Sequence, residues 1–395
     1  MPRPTVVVMP GDGIGRIVVP EALEVLAASG FEADFVEAEI GWSCWARDGD
    51  PLPPRTIEML DRHRLGFLGA VTSKPPGAAE AELPAALQGR GLAYRSPLLT
   101  LRQRFGLEIC LRPCAGVPGN PANFVRRGPD GAIDEPPIDI AVFRQNTEGL
   151  YAGVEWTDPP AEVHRALASH PSFAPFREIA GRDLAVAARI VTRGACFRIA
   201  DAALRYASER GIGTVTLAEK PNVLRETSGL FEDAAREAAS RWPGIALRSV
   251  NIDALLLDLV RRPEEHRVIV ASNLFGDLLS DAVAGLTGGA GFACSANLGA
   301  DAAIFEPAHG SAPRHAERSP SIVNPIAAIL TGALLAERAG ARAAASRVRR
   351  AVGAVVAAGK VRTYDMLGLP SREDVLARGA SPTRRMTEAI LKELG

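Results

Sequence analysis

Val6-Val7-Val8-Met9-Pro10-Gly11-Asp12-Gly13-Ile14-Gly15 opens the chain's first structural unit, and Val18 to Ala28 continues it. A β-branched run suits a buried strand, clustered glycines a tight turn, and the apolar spacing that follows a helix. The alternation returns later: helix from Gly194 to Arg210, strand Thr214-Val215-Thr216-Leu217, helix from Thr227 to Arg241, strand Val268-Ile269-Val270. Strands alternating with helices of this length predict an α/β fold with helix-covered sheets. At 395 residues the chain exceeds what one core usually holds, so two domains are expected.

Two stretches depart from the alternation. From Trp156 to Asp183 the chain is interrupted by Pro159-Pro160, Pro171 and Pro175, and Asp183 to Thr192 then alternates in strand fashion. This reads as an inserted arm outside the core sheet. Ala327 to Ala358 reads as an Ala-rich helical segment with Gly359 as its C-cap. Lys plus Arg number 45 against 46 Asp plus Glu, which argues against nucleic acid or an anionic membrane as partner. The longest apolar region, Val268 to Leu298, contains Asp277 and Asp281 and is not a membrane span. No secretory signal is visible and the five cysteines form no CxxC pair, so buried free thiols in a reducing cytoplasm are expected.

The candidate chemistry starts with Gly11-Asp12-Gly13-Ile14-Gly15. Its GxGxG spacing is not the GxGxxG dinucleotide fingerprint, so a ligand loop and an ordinary tight turn both stand. Asp277 and Asp281 lie four apart in Asn273-Leu274-Phe275-Gly276-Asp277-Leu278-Leu279-Ser280-Asp281, hence on one helix face. Leu274, Phe275, Leu278 and Leu279 around them predict a partly buried setting. There a divalent cation relieves like-charge repulsion; oxygen-only ligands favour Mg²⁺ or Mn²⁺. The alternative is a solvated acidic face. Lys220 ends a predicted strand, the edge where α/β proteins place ligands; it is a candidate base or a plain loop lysine. Arg102, Arg112 and Arg144 suit carboxylate clamps or structural ion pairs.

Together these pieces resemble the isocitrate and isopropylmalate dehydrogenase family over almost the whole chain. The resemblance rests on Pro10 to Gly15, Ser96 to Arg102, Phe143 to Tyr151, Lys220-Pro221-Asn222-Val223, Asn273 to Asp281, Phe305 to Pro313 and Asn324-Pro325, in that order. It implies an α/β fold of two domains with a cleft between them, not a Rossmann fold. Residues 1–107 and 288–395 would form a large cofactor-side domain, and 108–149 and 193–287 a smaller one on the metal and dimer side. Residues 150–192 would form an arm clasping a second copy in a homodimer.

The resemblance further implies that Thr72, Arg95, Ser96, Leu98, Arg102, Arg112, Arg144 and Asn222 hold a substituted malate. Asp277 and Asp281, with Asp253 from the neighbouring subunit, would hold the metal. Lys220, contributed across the dimer, would take the hydroxyl proton, and Tyr151 would protonate the carbon left by CO₂. Cofactor contacts would come from Glu306, His309, Gly310, Ser311, Ala312, Arg314, His315, Asn324, Tyr364 and Arg262. Relatives preferring NAD carry an Asp where Arg314 stands, and an arginine suits a 2′-phosphate, so NADP is favoured over NAD.

The substrate segment fits neither main branch. Leu98 stands where isocitrate enzymes carry Asn, and Arg95 where isopropylmalate enzymes carry Glu. Arg95, Ser96 and Lys74 are therefore candidates for an anionic substituent: isocitrate, homoisocitrate or a phosphonate analogue. Isopropylmalate and a non-catalytic regulatory subunit of the same family are the alternatives. Against the latter, Tyr151, Lys220, Asp253, Asp277 and Asp281 are all present.

Overall fold

The computed structural model describes residues 3–128, 130–179 and 181–395. Met1 and Pro2 of the expected large domain, Pro129 of the smaller one and Ala180 of the arm lie outside the described residues. The apolar runs become ten strands: β1 (Thr5–Gly11), β2 (Asp34–Glu37), β3 (Leu65–Ala70), β4 (Ile109–Ala115), β5 (Asp139–Gln145), β6 (Thr214–Glu219), β7 (Ala246–Asn251), β8 (Val268–Ala271), β9 (Cys294–Leu298) and β10 (Ala303–Pro307). They join in one sheet of order β7-β6-β8-β5-β4-β9-β10-β3-β1-β2. The middle of the chain supplies β4 to β8 at one end, and the two chain ends supply the rest. Within β7-β6-β8-β5 and within β10-β3-β1-β2 the pairs are parallel, while β4 and β9 run antiparallel to their neighbours and to each other.

The inner strands are buried on both faces, so they read as continuous apolar runs, while the edge strands β2 and β7 are partly exposed. Side chains still alternate between two layers. Val6 and Val8 enter the main core with Val25, Leu26, Ile329 and Val348, while Val7 and Met9 face Leu60, Leu101 and Phe105. At the other end Phe143 and Val270 join the main core with Ile199 and Phe231, and Val142 and Ile269 face Leu255, Leu279 and Val283. The five cysteines are buried, and burial pushes the Cys114 thiol up to about 12.

Two expectations need correction. The stretch from Ala327 to Ala358 is two helices, Ile326–Arg338 and Arg342–Ala358, because Gly340 turns left-handed at φ 88° and ends the first. Gly359 caps the second, as expected. In the 150–192 stretch the extended part is short: Glu155–Thr157 pairs with Ala185–Ala187, and Gly181–Asp183 is a 3₁₀ turn. Leu150, Phe176 and Ile190 of this stretch are exposed.

The glycine-rich turn is a crossing of backbones. Asp12 N donates to Ala70 O at 2.7 Å, and Ile14 N to Ser311 O at 2.8 Å. A β-carbon on Gly11 would stand 2.0 Å from Ala70 O, and one on Gly13 2.0 Å from Ser311 O, both at positive φ. Gly13→Ala is expected to lower stability by about 2–3 kcal/mol through this clash. Gly353→Ala, in open space within the Arg342–Ala358 helix, should raise it by about 0.5–1 kcal/mol. Urea unfolding midpoints of the two variants check the pair.

Candidate active site

The helix Asn273–Leu286 begins where β8 ends and carries Asp277 and Asp281 one turn apart on one face. That face packs on β4 and β5, and Arg112 and Arg144 reach it from inside the sheet. Arg144 Nε donates to Asn273 Oδ1 at 2.9 Å, and its guanidinium pairs with Asp277. Arg112 donates to Ser280 Oγ at 2.7 Å and to Asp281 Oδ1 at 2.8 Å, and it stands 3.4 Å from Asp277. Tyr151 Oη donates to the second Asp277 oxygen at 2.5 Å. Gly276 permits this approach, since a β-carbon there would meet Arg144 Cβ at 2.7 Å.

Arg144 is 2% exposed and Arg112 8%. Burial pulls the Arg144 pKa below its ordinary value; Arg102 and Arg112 push the same way, and Asp277 resists them. Burial also raises the Tyr151 phenol, with the Asp277 hydrogen bond and charge adding to it. The expectation of a partly buried acid pair holds for Asp277, whose side chain is 26% exposed, and fails for Asp281 at 71%. The outer face of the helix, with Leu278, is uncovered in a single chain.

Arg102 lies on the Pro97–Arg104 helix, 3.2 Å from Glu306 and donating through Nε to Asn297 Oδ1 at 3.1 Å. Asn297 also accepts from Asn146 at 2.8 Å and donates to Glu306 at 2.9 Å. It ties together the two ends of the sheet at the β4–β9 junction.

Lys220 follows β6 and pairs with Asp253, in the first turn of the Ile252–Arg261 helix that follows β7. No hydrogen bond or ion pair among the described residues joins either to Tyr151, Asp277 or Asp281. Nor do any three His, Cys, Asp or Glu among them gather as a cation site. The three aspartates therefore do not meet within one chain. Asn222 is exposed beside Lys220.

A cavity of about 450 Å³ is lined by His309, Gly310, Ala312, His315, Asn324 and Tyr364, together with Ile14, Asp365 and the Gly288–Gly291 loop. His309 Nε2 and Asp365 Oδ1 are buried without a hydrogen-bond partner. Burial holds both His309 and His315 below the usual imidazole range, so both rings are neutral near pH 7. His315 stacks on Tyr364 with ring centroids 5.8 Å apart, and its Nε2 is 2.7 Å from Ser371 Oγ. Arg314 is exposed beside them. Other expected cofactor residues lie elsewhere. Glu306 is held by Arg102, Ser311 Oγ bonds Thr72 Oγ1 at 2.6 Å, and Arg262 is paired with Asp258 and Glu265.

In the segment expected to meet substrate, Arg95 is exposed, Ser96 precedes the Pro97–Arg104 helix, and Leu98 packs at the edge of the layer of Leu60, Leu101 and Phe105. Lys74 does not stand ready for an anion. Its amine is 2.5 Å from Glu82 and 4.6 Å above the Trp42 ring.

The sequence matches the isocitrate/isopropylmalate dehydrogenase family over residues 5–390. The chain belongs to that family. It is 36% identical to the isocitrate/homoisocitrate dehydrogenase of Thermus thermophilus, covering 97% of this chain and 96% of that one. It is 34% identical to Protein DlpA of Legionella pneumophila over 94% of this chain, and the match spans 57% of DlpA's length. The crystal structure of isocitrate dehydrogenase from Methylococcus capsulatus superposes with a TM-score of 0.79 at 33% identity, over 99% of each chain.

Within this dehydrogenase fold, several site residues escaped the sequence reading. Asn273 and Ser280 stand inside the quoted Asn273–Asp281 stretch and orient Arg144 and Arg112. Asp365 follows Tyr364 directly. Asn297 had no local signal, because its role depends on which strands become neighbours. Asp277→Asn is expected to cost about 3 kcal/mol, since it leaves Arg144 buried against a neutral group. Asp281→Asn should cost less than about 1 kcal/mol at an exposed position. Chemical denaturation of both variants checks the order, and the reverse order contradicts it.

Proposed function

We propose that this protein is a Mg²⁺- or Mn²⁺-dependent dehydrogenase that oxidises and decarboxylates a malate bearing an anionic C3 substituent, using NADP in preference to NAD. Isocitrate, homoisocitrate and a phosphonate analogue are the substrates of this class. The observation that carries the reading is the convergence of Arg112, Arg144 and Tyr151 on Asp277, with Asp281 one turn on. Every charge there has a partner of the opposite sign. A complex of cation and substrate carboxylates carries both signs, so it can take over both sides of these pairs at once.

The carboxylate oxygens fit a hard cation. Asp277 and Asp281 of one copy and Asp253 of a second would hold it. When bound, the cation supplies a Lewis acid at the substrate hydroxyl and adjacent carboxylate, and the nicotinamide supplies the hydride acceptor. Arg102, Arg112 and Arg144, already buried and oriented, turn to the substrate carboxylates. Lys220, which pairs with Asp253 in the free chain, would take the hydroxyl proton. Tyr151 keeps its proton at neutral pH and delivers it to the carbon that CO₂ leaves.

Exposed Val223, Leu257, Val260 and Leu278 stand on the same loop and two helices as Lys220, Asp253 and Asp277. Such a patch is what a homodimer with shared sites would bury. The two ends of the sheet would form the two domains, and the 150–192 arm would clasp the second copy. Arg314 beside His315 and Tyr364 supports a 2′-phosphate. The second reading, 3-isopropylmalate, is favoured only by Leu98, which offers an apolar surface at the segment's start.

The test follows nicotinamide reduction with Mn²⁺ and each cofactor over isocitrate, homoisocitrate, isopropylmalate and malate. Turnover of one of the two tricarboxylates, lost with EDTA, is expected; metal-independent turnover or turnover of isopropylmalate alone contradicts the proposal. Arg314→Asp should lower the NADP-to-NAD ratio of kcat/KM by about tenfold or more. Tyr151→Phe should lower kcat by roughly 10²–10⁴-fold.

A further inference from the structure

Between the end of β3 and the Pro97–Arg104 helix the chain makes a long excursion, and both of its feet land on one aromatic seat. Trp42 and Trp45 stand on the short helix Trp42–Asp48, 8% and 1% exposed. Trp45 Nε1 donates to Ala79 O at 2.8 Å, and Trp42 Nε1 to Glu82 Oε2 at 2.6 Å. Glu82 in turn holds Lys74, whose amine lies over the Trp42 ring. From Gln88 to Ala93 the chain is exposed. It re-enters the body at Tyr94, whose ring centroid is 5.0 Å from that of Trp42 and 5.5 Å from that of Trp45. Tyr94 Oη donates to Thr72 O at 2.6 Å, which closes the excursion on itself.

The seat is fixed to the glycine-rich turn. Asp12, 6% exposed, accepts from Trp42 N at 2.7 Å and from Thr72 N at 2.9 Å. Gly41 is required for this approach: at φ 106° it leaves space where a β-carbon would stand 2.4 Å from Asp12 Oδ2. Arg95 follows the Tyr94 anchor directly and has no hydrogen bond or ion pair among the described residues. Lys74, over the Trp42 ring, is thus engaged, and Arg95 is left available.

We propose that Trp42 and Tyr94 are positioning residues for Arg95: their contact sets where that guanidinium stands and so selects acids with an anionic substituent. The inference rests on the reading that Arg95 meets the substituent. Without the seat, the backbone before Arg95 has only exposed chain behind it, and the side chain must be ordered anew at each binding event. The cost falls on substrate binding, with the later chemical steps untouched.

The test compares Tyr94→Phe, Trp42→Phe, Arg95→Ala and the Tyr94→Phe/Arg95→Ala double variant, using the tricarboxylate the enzyme turns over best. Tyr94→Phe keeps the ring and the fold and removes only the bond to Thr72. It should raise KM for the acid about fivefold, with kcat and the cofactor KM within about twofold. Trp42→Phe, which loses the Glu82 bond, should do the same. In the Arg95→Ala background Tyr94→Phe should change KM by less than about twofold, because residues acting through one contact are not additive. A Tyr94→Phe effect that persists in full without Arg95, or one that is absent in the parent enzyme, overturns the proposal. If Arg95→Ala itself leaves KM unchanged for every acid, the reading of Arg95 fails, and that is visible without any Tyr94 variant.

Discussion

Arg144 lies between β5 and the Asn273–Leu286 helix at 2% exposure, and a guanidinium can persist there only against a carboxylate. Asp277 supplies it. That requirement sets the position of the helix relative to the sheet, makes Gly276 necessary at the contact, and brings Tyr151 to the second carboxylate oxygen. Arg112, one strand over, spreads across Asp277, Ser280 and Asp281. The charge arrangement is therefore structural before it is chemical. The same groups that allow two buried arginines also present an acid pair at the helix surface.

The β4–β9 junction carries the matching constraint on the other side. Asn297, fully buried, uses its carbonyl for Arg102 and Asn146 and its amide for Glu306 and Ile304 O. A substrate held by Arg102, Arg112 and Arg144 would thus rest on groups from both ends of the sheet. The cavity between His309 and Tyr364 lies against the same frame, because Ser311, between its lining residues Gly310 and Ala312, is tied to the glycine-rich turn and to Thr72. His309 Nε2 and Asp365 Oδ1, buried in that cavity, have no hydrogen-bond partner among the described residues.

Much of this was legible in the sequence where the signal is local. Alternating strands and helices gave the α/β class, and the four-residue spacing of Asp277 and Asp281 placed both on one helix face. The motif order from Pro10 to Asn324 pointed to the family. What failed to show was whatever depends on distant neighbours. Asp281 is exposed because none of the described residues covers the outer side of its helix, Lys74 is engaged because Glu82 folds back on it, and Asn297 matters because β4 happens to be its neighbour. The glycine turn was ambiguous for the same reason: the positions of Ala70 and Ser311 show that its glycines make room for backbone.

A shared site would require Lys220 and the Asp277–Asp281 pair of one active site to belong to different copies of the chain. The direct measurement is complementation between Lys220→Met and Asp281→Asn, each expected to be inactive alone and folded. Random mixing makes half the dimers mixed, and each mixed dimer carries one intact site of two, so about one quarter of the parent activity should return. Activity no greater than that of the two variants measured separately would contradict a shared site.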